Sequence, residues 1–308
     1  MSDVITIATR ESPLALWQAE HVQALLRERY PEKKVELLGM TTQGDQILDK
    51  TLSKIGGKGL FVKELEIAMQ KRLAHLAVHS LKDVPMELPE GFVLAAVSKR
   101  EDPRDAFVSN RYDSLESMPA GSVVGTASLR RELMLRSRFP HLVVKPVRGN
   151  VGTRLKKLDS GEYDALVMAS AGFKRLGLKE RIREIISEDI SLPSPGQGAL
   201  GIECLQSDLD TQEAVAFIND EKTRACCLAE RAVSRALGGS CQVPLAAYAT
   251  IDGSEMRLRA LVGDHTTGES VSTEVRGDWQ TYAQLAQKAV EDLLKQGARS
   301  YIEKLLSK

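Results

Sequence analysis

The chain has 308 residues, 43% of them hydrophobic and 27% charged, which is enough apolar material for two or three cores, while no single run is long enough for a bilayer span. Lysine plus arginine equals aspartate plus glutamate at 42 each, which argues against a dedicated nucleic-acid binder and turns attention to local clusters of charge. The four cysteines, Cys204, Cys226, Cys227 and Cys241, lack C-x-x-C spacing and two are adjacent, so reduced thiols are expected rather than a disulfide framework.

In chain order, Val4 to Ala8 reads as a strand reached without the basic and long apolar stretch of a signal peptide, so a cytoplasmic location is expected. Ser12-Pro13 then provides a cap and first helical residue for apolar positions Leu14, Trp17, Val22 and Leu25, and Pro31 stops that helix. A strand at Val35 to Met40, a helix at Leu60 to Arg72, and strands at Leu76 to His79 and Phe92 to Val97 follow, an α/β order implying a mainly parallel sheet. The pattern restarts after Arg104, with strands at Ala106 to Ser109, Val123 to Gly125, Leu142 to Val147 and Ala165 to Ala169, and helices beginning near Ser128, Val151 and Ser170. Pro193 to Gly198 is a turn-rich crossing toward a strand at Ala199 to Cys204, which is expected to return to the first lobe. From Asp220 the order changes to a long helix ending at Leu237, strands around Ala246, Leu258 and Val271, and a helix from Trp279 to Lys295, a third, α+β unit.

Between positions 130 and 154 lie Arg130, Arg131, Arg136, Arg138, Arg148 and Arg154 against one acid, Glu132. Thr126-Ala127-Ser128-Leu129-Arg130-Arg131 and Thr9-Arg10-Glu11-Ser12 both set hydroxyls and arginine at a helix start, where unpaired N–H groups and a partial positive charge suit a carboxylate. The plainer reading is that Ser12 and Ser128 cap helices and the arginines are solvated. Arg148-Gly149-Asn150-Val151-Gly152-Thr153-Arg154 is a second candidate anion site, with Arg148 opening the helix, or else a glycine-rich turn whose arginine is paired elsewhere. Gly56-Gly57-Lys58-Gly59 lacks the spacing of a nucleotide phosphate loop, and residues 41–59 read as a flap over a site or as a plain connection. His79-Ser80-Leu81-Lys82-Asp83-Val84-Pro85 places Ser80, Lys82 and Asp83 at the carboxyl end of a strand, where open α/β sheets hold ligands. His79 is expected to be a packed histidine, without a metal-spaced cluster around it. Cys241, after Gly238-Gly239-Ser240, sits on a loop, as a nucleophile or as a buried thiol.

Taken in order, Arg10 with Ser12-Pro13-Leu14-Ala15, Gly56 to Phe61, His79 to Pro85, Arg100 to Ala106, Gly125 to Arg131, Arg148-Gly149-Asn150, Pro195 to Gly198 and Gly239 to Pro244 resemble the porphobilinogen deaminase (hydroxymethylbilane synthase) family over essentially the whole chain. The resemblance implies two α/β lobes like those of periplasmic binding proteins around a cleft, 1–98 with 199–216 and 104–192, and a C-terminal α+β domain, 221–308. It implies a dipyrromethane cofactor on a thioether to Cys241, with Lys82, Asp83, Ser12, Ser80, Thr126, Ser128, Arg130 and Arg131 holding it. Arg10, Gln18, Arg148, Arg154 and Arg175 are implied for substrate and growing chain, Asp83 for catalysis, and Lys54, Gly56, Gly57, Lys58 and Phe61 for the flap. Gln43 stands where the family usually has a basic residue, which bears on a flap-to-cleft charge contact. The substrate implied is porphobilinogen, condensed four times head to tail by a monomer, with no metal, nucleic acid or membrane involved. The rival reading is a two-lobed protein that binds or senses a polycarboxylate without catalysis. A cysteine hydrolase is disfavoured, because no histidine is placed by sequence to activate Cys241.

Overall fold

Three sheets organise the residues that the computed structural model describes, 3–42, 62–238 and 243–306. In the first, strands β1 (Val4–Arg10), β2 (Lys34–Met40), β3 (Leu76–Ser80), β4 (Phe92–Val97) and β10 (Leu200–Leu205) lie in the order β2-β1-β3-β10-β4. The strand after the Pro193 to Gly198 crossing therefore does return to the first sheet. It runs antiparallel to both β3 and β4, whereas β1 is parallel to β2 and β3. The second sheet holds β5 (Asp105–Val108), β6 (Val123–Gly125), β7 (Val143–Lys145), β8 (Ala165–Ala169) and β9 (Glu184–Ile185) in the order β7-β6-β8-β5-β9, with β5 antiparallel to β8 and β9. The expectation of mainly parallel sheets is corrected on this point: both are mixed, because a chain that crosses to the other lobe enters the sheet from the opposite end. The third sheet is an antiparallel meander of β11 (Leu245–Asp252), β12 (Glu255–Gly263) and β13 (Ser270–Asp278).

Helix α1 (Pro13–Arg29) covers one face of the first sheet with Ala19, Val22 and Leu26, packed on Ile5, Ile7, Leu76 and Val78. Helix α2 (Lys63–Gln70) covers the other face with Leu65, Ala68 and Met69 against Ala8 and Ala77. Burial on both faces explains why these strands read as apolar runs rather than alternating ones. Helices α3 (Leu129–Arg138), α4 (Val151–Asp159) and α5 (Ser170–Arg175) serve the second sheet, and α6 (Leu209–Val215) follows β10. Helix α7 (Glu221–Ala236) packs with α8 (Tyr282–Lys295) and α9 (Ala298–Leu306) on the third sheet. The helix expected from Leu60 has its cap at Val62, and Leu60 and Phe61 lie outside the described residues. The helix expected from Trp279 starts as a 3-10 turn, Trp279–Thr281, and β9, α6 and α9 were not expected from the sequence.

The two segments that cross between the lobes lie side by side. Glu101 N–H donates to the Gly198 carbonyl at 3.1 Å, and Arg100 Nε donates to the Gln197 carbonyl at 2.9 Å. The third unit is bound to this crossing through Glu230 of α7, which is fully buried. Its carboxylate accepts from Arg100 Nη1 and Nη2 at 2.7 and 2.6 Å, from Gly196 N–H at 2.7 Å and from Ala249 N–H at 2.8 Å. No helix among the described residues is long and apolar enough to cross a membrane.

Candidate active site

Strand β3 ends in a 3-10 turn, Leu81–Asp83. Leu81 is fully buried and anchors the turn, leaving Lys82 half-buried and Asp83 exposed. Arg231 of α7, itself buried, donates to the carbonyls of Leu81, Val84 and Pro85, so the third unit clamps the backbone that carries Lys82 and Asp83. Asp83 lines a pocket with Arg10, Ser12, Gln18, His79 and Ser80. Gln18 is buried and its Nε2 donates to Ser80 Oγ at 2.7 Å, tying α1 to the end of β3. Ser12 occupies the cap position of α1 without making a side-chain capping bond, so the plain capping role does not account for its hydroxyl.

Ser128 behaves differently. Its Oγ accepts the Arg131 N–H at 3.4 Å, capping α3, while Thr126 Oγ1 accepts the Ser128 N–H at 3.2 Å. The two arginines that follow are not a solvated wall: each is only 6% exposed. Arg130 Nη2 donates to both oxygens of Asp105 at 3.0 and 2.8 Å, and its Nη1 donates to Ser191 Oγ and the Leu192 carbonyl at 3.1 and 2.7 Å. Arg131 Nη2 donates to Asp105 Oδ1 at 2.9 Å and to Gln197 Oε1 at 3.3 Å. Burial alone would raise the Asp105 carboxyl, but the charges of Arg130 and Arg131 override it and hold the group well below the usual carboxylate range. The Nε atoms of both arginines are buried without a protein partner.

Gln197 joins the two lobes at this point, because Lys82 Nζ donates to the same Oε1 that Arg131 uses, at 3.3 Å. Burial, then the Arg131 charge, pushes the Lys82 ammonium down to about 8 against the pull of Asp83 and Asp105. Arg154, half-buried on α4, is lowered to about 10 by burial and by Arg131 and Arg148, with Asp83 acting the other way. Asp83 of the first lobe and Arg154 of the second therefore share one electrostatic environment. The cap of α4 is Asn150, whose Oδ1 accepts the Thr153 N–H at 2.9 Å, so Arg148 precedes the helix rather than opening it. Gly149, at φ +105°, lets the carbonyl of that turn accept from Arg154 Nε at 2.8 Å. Arg175 Nη2 donates to the Gly198 carbonyl at 2.7 Å, its guanidinium lies over the Trp17 ring of α1, and burial lowers it to about 10.

Cys241, Gln43 and the flap residues Lys54, Gly56, Gly57, Lys58 and Phe61 lie outside the described residues. Cys204, Cys226 and Cys227 are buried, and burial pushes the first two thiols up to about 12, so none of these three is poised as a nucleophile. Among the described residues no cluster of His, Cys, Asp or Glu is placed to hold a metal ion. Sequence reasoning missed Asp105, Ser191, Gln197 and Arg231. Asp105 and Gln197 stood inside motifs already singled out, but nothing local marks them as partners of arginines far along the chain.

Residues 5–213 match the family model described as porphobilinogen deaminase, dipyromethane cofactor binding domain, and residues 224–295 match its C-terminal domain. The chain belongs to the porphobilinogen deaminase family. It is 60% identical over 306 residues to porphobilinogen deaminase of Chromobacterium violaceum, covering 99% of each chain. It is 57% identical to the porphobilinogen deaminase of Thiobacillus denitrificans, covering 98% of each, and 58% identical to that of Neisseria meningitidis serogroup B, covering 98% of this chain and 97% of that one. Among solved structures it is similar to the periplasmic aliphatic sulphonate binding protein SsuA from Escherichia coli, at 15% identity and a TM-score of 0.39, covering 79% of this chain and 73% of that one. The fold rests on sheet order rather than on a likeness of that size. Dipyrromethane, the cofactor implied by the sequence, is the group for which the porphobilinogen deaminase domain at 5–213 is described. The residues present fit it: Lys82, Arg130, Arg131 and Arg154 bring more positive charge to one region than Asp105 and Asp83 neutralise, and two guanidinium nitrogens there lack protein partners.

Proposed function

We propose that this protein is a hydroxymethylbilane synthase, which condenses four porphobilinogen molecules head to tail with loss of ammonia and then releases the linear tetrapyrrole by hydrolysis. The observation that carries the reading is the convergence of an exposed Asp83 with Lys82, Arg131 and Arg154, drawn from two lobes, on one environment with surplus positive charge. Each porphobilinogen brings an acetate and a propionate, so a growing chain accumulates negative charge that fixed cations must offset. When bound to Cys241, dipyrromethane supplies the pyrrole end to which the first unit is joined.

Lys82, Arg130, Arg131, Ser12, Ser80, Thr126 and Ser128 are assigned to the carboxylates of that group. Because the Nη atoms of Arg130 and Arg131 are already engaged, these two act through their charge. Arg10, Gln18, Arg148, Arg154 and Arg175 are assigned to substrate and the growing chain. Asp83 accepts hydrogen bonds from pyrrole N–H groups and offsets the cation that develops as the aminomethyl group departs as ammonia. In the same reading residues 1–98 with 199–216, 104–192 and 221–308 are the three domains, and the enzyme works as a cytoplasmic monomer.

The test is ammonia release from porphobilinogen. Wild type should release four ammonia molecules per tetrapyrrole, and Asp83→Asn should fall by about a hundredfold or more while keeping its fold and cofactor. Binding of porphobilinogen without ammonia release would favour a non-catalytic receptor and overturn the reading.

A further inference from the structure

Under the Asp83 pocket lies a group of titratable side chains with no part in the chemistry above. Glu203 of β10 is fully buried and stands opposite Ala77 of β3, on the side of the sheet covered by α2. His79, two residues beyond Ala77, shares that face, is 7% exposed and lines the pocket. Its Nε2 lies 2.9 Å from Glu203 Oε2. Glu66 of α2 is 9% exposed, and both Glu66 Oε1 and Glu203 Oε1 are buried without a protein partner. Two carboxylates and an imidazole thus occupy a nearly dry space in which both carboxylates cannot readily be charged together.

We propose that Glu66, Glu203 and His79 form one electrostatically coupled unit beneath the Asp83 pocket, and that the proton carried by Glu66 governs how readily the pocket accepts a carboxylate-bearing substrate. The reading rests on the function proposed above. With the proton in place, Glu66 is neutral beside a Glu203 carboxylate paired to His79. When the proton leaves to solvent, Glu66 adds a negative charge under a pocket that must receive acetate and propionate groups. Burial, then the Glu203 charge, raises the Glu66 carboxyl to about 7, so this change falls in the neutral range. Among the described residues the charged groups acting on Glu66 are Glu203 from β10, His79 from β3, and Glu64 and Lys63 from its own helix. Arg10 and Asp83 belong to the pocket above. Glu66 is accordingly a positioning residue that acts through the field at the pocket floor.

The experiment titrates the whole protein labelled with carbon-13 at glutamate Cδ, followed by NMR, alongside the pH dependence of KM for porphobilinogen. Wild type should show one glutamate carboxyl titrating near the value of about 7. That signal should be absent in Glu66→Gln, and displaced upward in His79→Gln because His79 lowers Glu66. Between about pH 6 and 7.5, where Lys82, lowered to about 8, is still mostly charged and titrates alike in both proteins, KM should rise by about fivefold in wild type and stay within about twofold in Glu66→Gln. A wild-type spectrum in which no glutamate titrates between about pH 6 and 8 overturns the proposal even if a variant fails to fold. A KM that climbs equally in wild type and Glu66→Gln overturns the coupling. Absence of porphobilinogen turnover would instead defeat the functional reading, and the carboxyl titration would still decide the cluster.

Discussion

A carboxylate with no exposed surface, Asp105, accepts hydrogen bonds from Arg130, Arg131, Ser191 and Gln197, and this decides what the paired arginines can do. With their terminal nitrogens engaged, they are held rigidly and present net charge without having to reorganise around a ligand. Asp105→Asn removes the one buried acid between two buried guanidiniums, so a loss of about 3–5 kcal/mol is expected, read from the urea midpoint. An unchanged midpoint would remove Asp105 from this role. The pH dependence has a defined sign. The folded carboxyl is lowered, so its stabilisation is fully present above the unfolded value of about 3.9 and is lost as pH falls toward the lower folded value. Wild type should therefore lose stability in acid more steeply than Asp105→Asn. The run of arginines was legible in the sequence; its counter-charge was not, because Asp105 and Arg130 are brought together by the fold from β5 and α3.

At the scale of elements, the crossing between lobes carries more than connectivity. Gly198 adopts φ +92°, and a Cβ there would stand 2.4 Å from the Glu101 carbonyl oxygen on the neighbouring crossing segment. Its own carbonyl accepts from Arg175 and from the Glu101 N–H. Gly198→Ala should cost about 2–4 kcal/mol through left-handed strain and backbone overlap, measured by denaturant melting, and should separate the segments that present Arg175 and Gln197. A stability within about 0.5 kcal/mol of wild type would show that the crossing tolerates a side chain. Most strands here were legible because apolar runs ended at turn residues, and the Pro193 to Gly198 cluster announced the return of β10. Strand direction was not legible, since side-chain pattern is the same in parallel and antiparallel neighbours when both faces are buried. Nor was β9, whose two residues give no period at all.

For the whole molecule, a formal net charge of zero conceals the uneven placement of charge. Acids are spent on structural pairs such as Arg100 with Glu230 and Arg104 with Asp102, while cations gather where the lobes meet on Gln197. The arginine run named a class of ligand from sequence alone, whereas the reaction was named by resemblance, through Asp83 and Cys241. The structure adds Arg231, which ties the helix that precedes Cys241 in the sequence to the turn bearing Asp83. The proposed function requires a pyrrole-derived group carried covalently on Cys241, which the intact mass of the purified protein reveals. The wild-type protein should carry an excess over the sequence mass equal to two deaminated porphobilinogen units, absent from Cys241→Ser. An unmodified wild-type mass together with full turnover of porphobilinogen would contradict it.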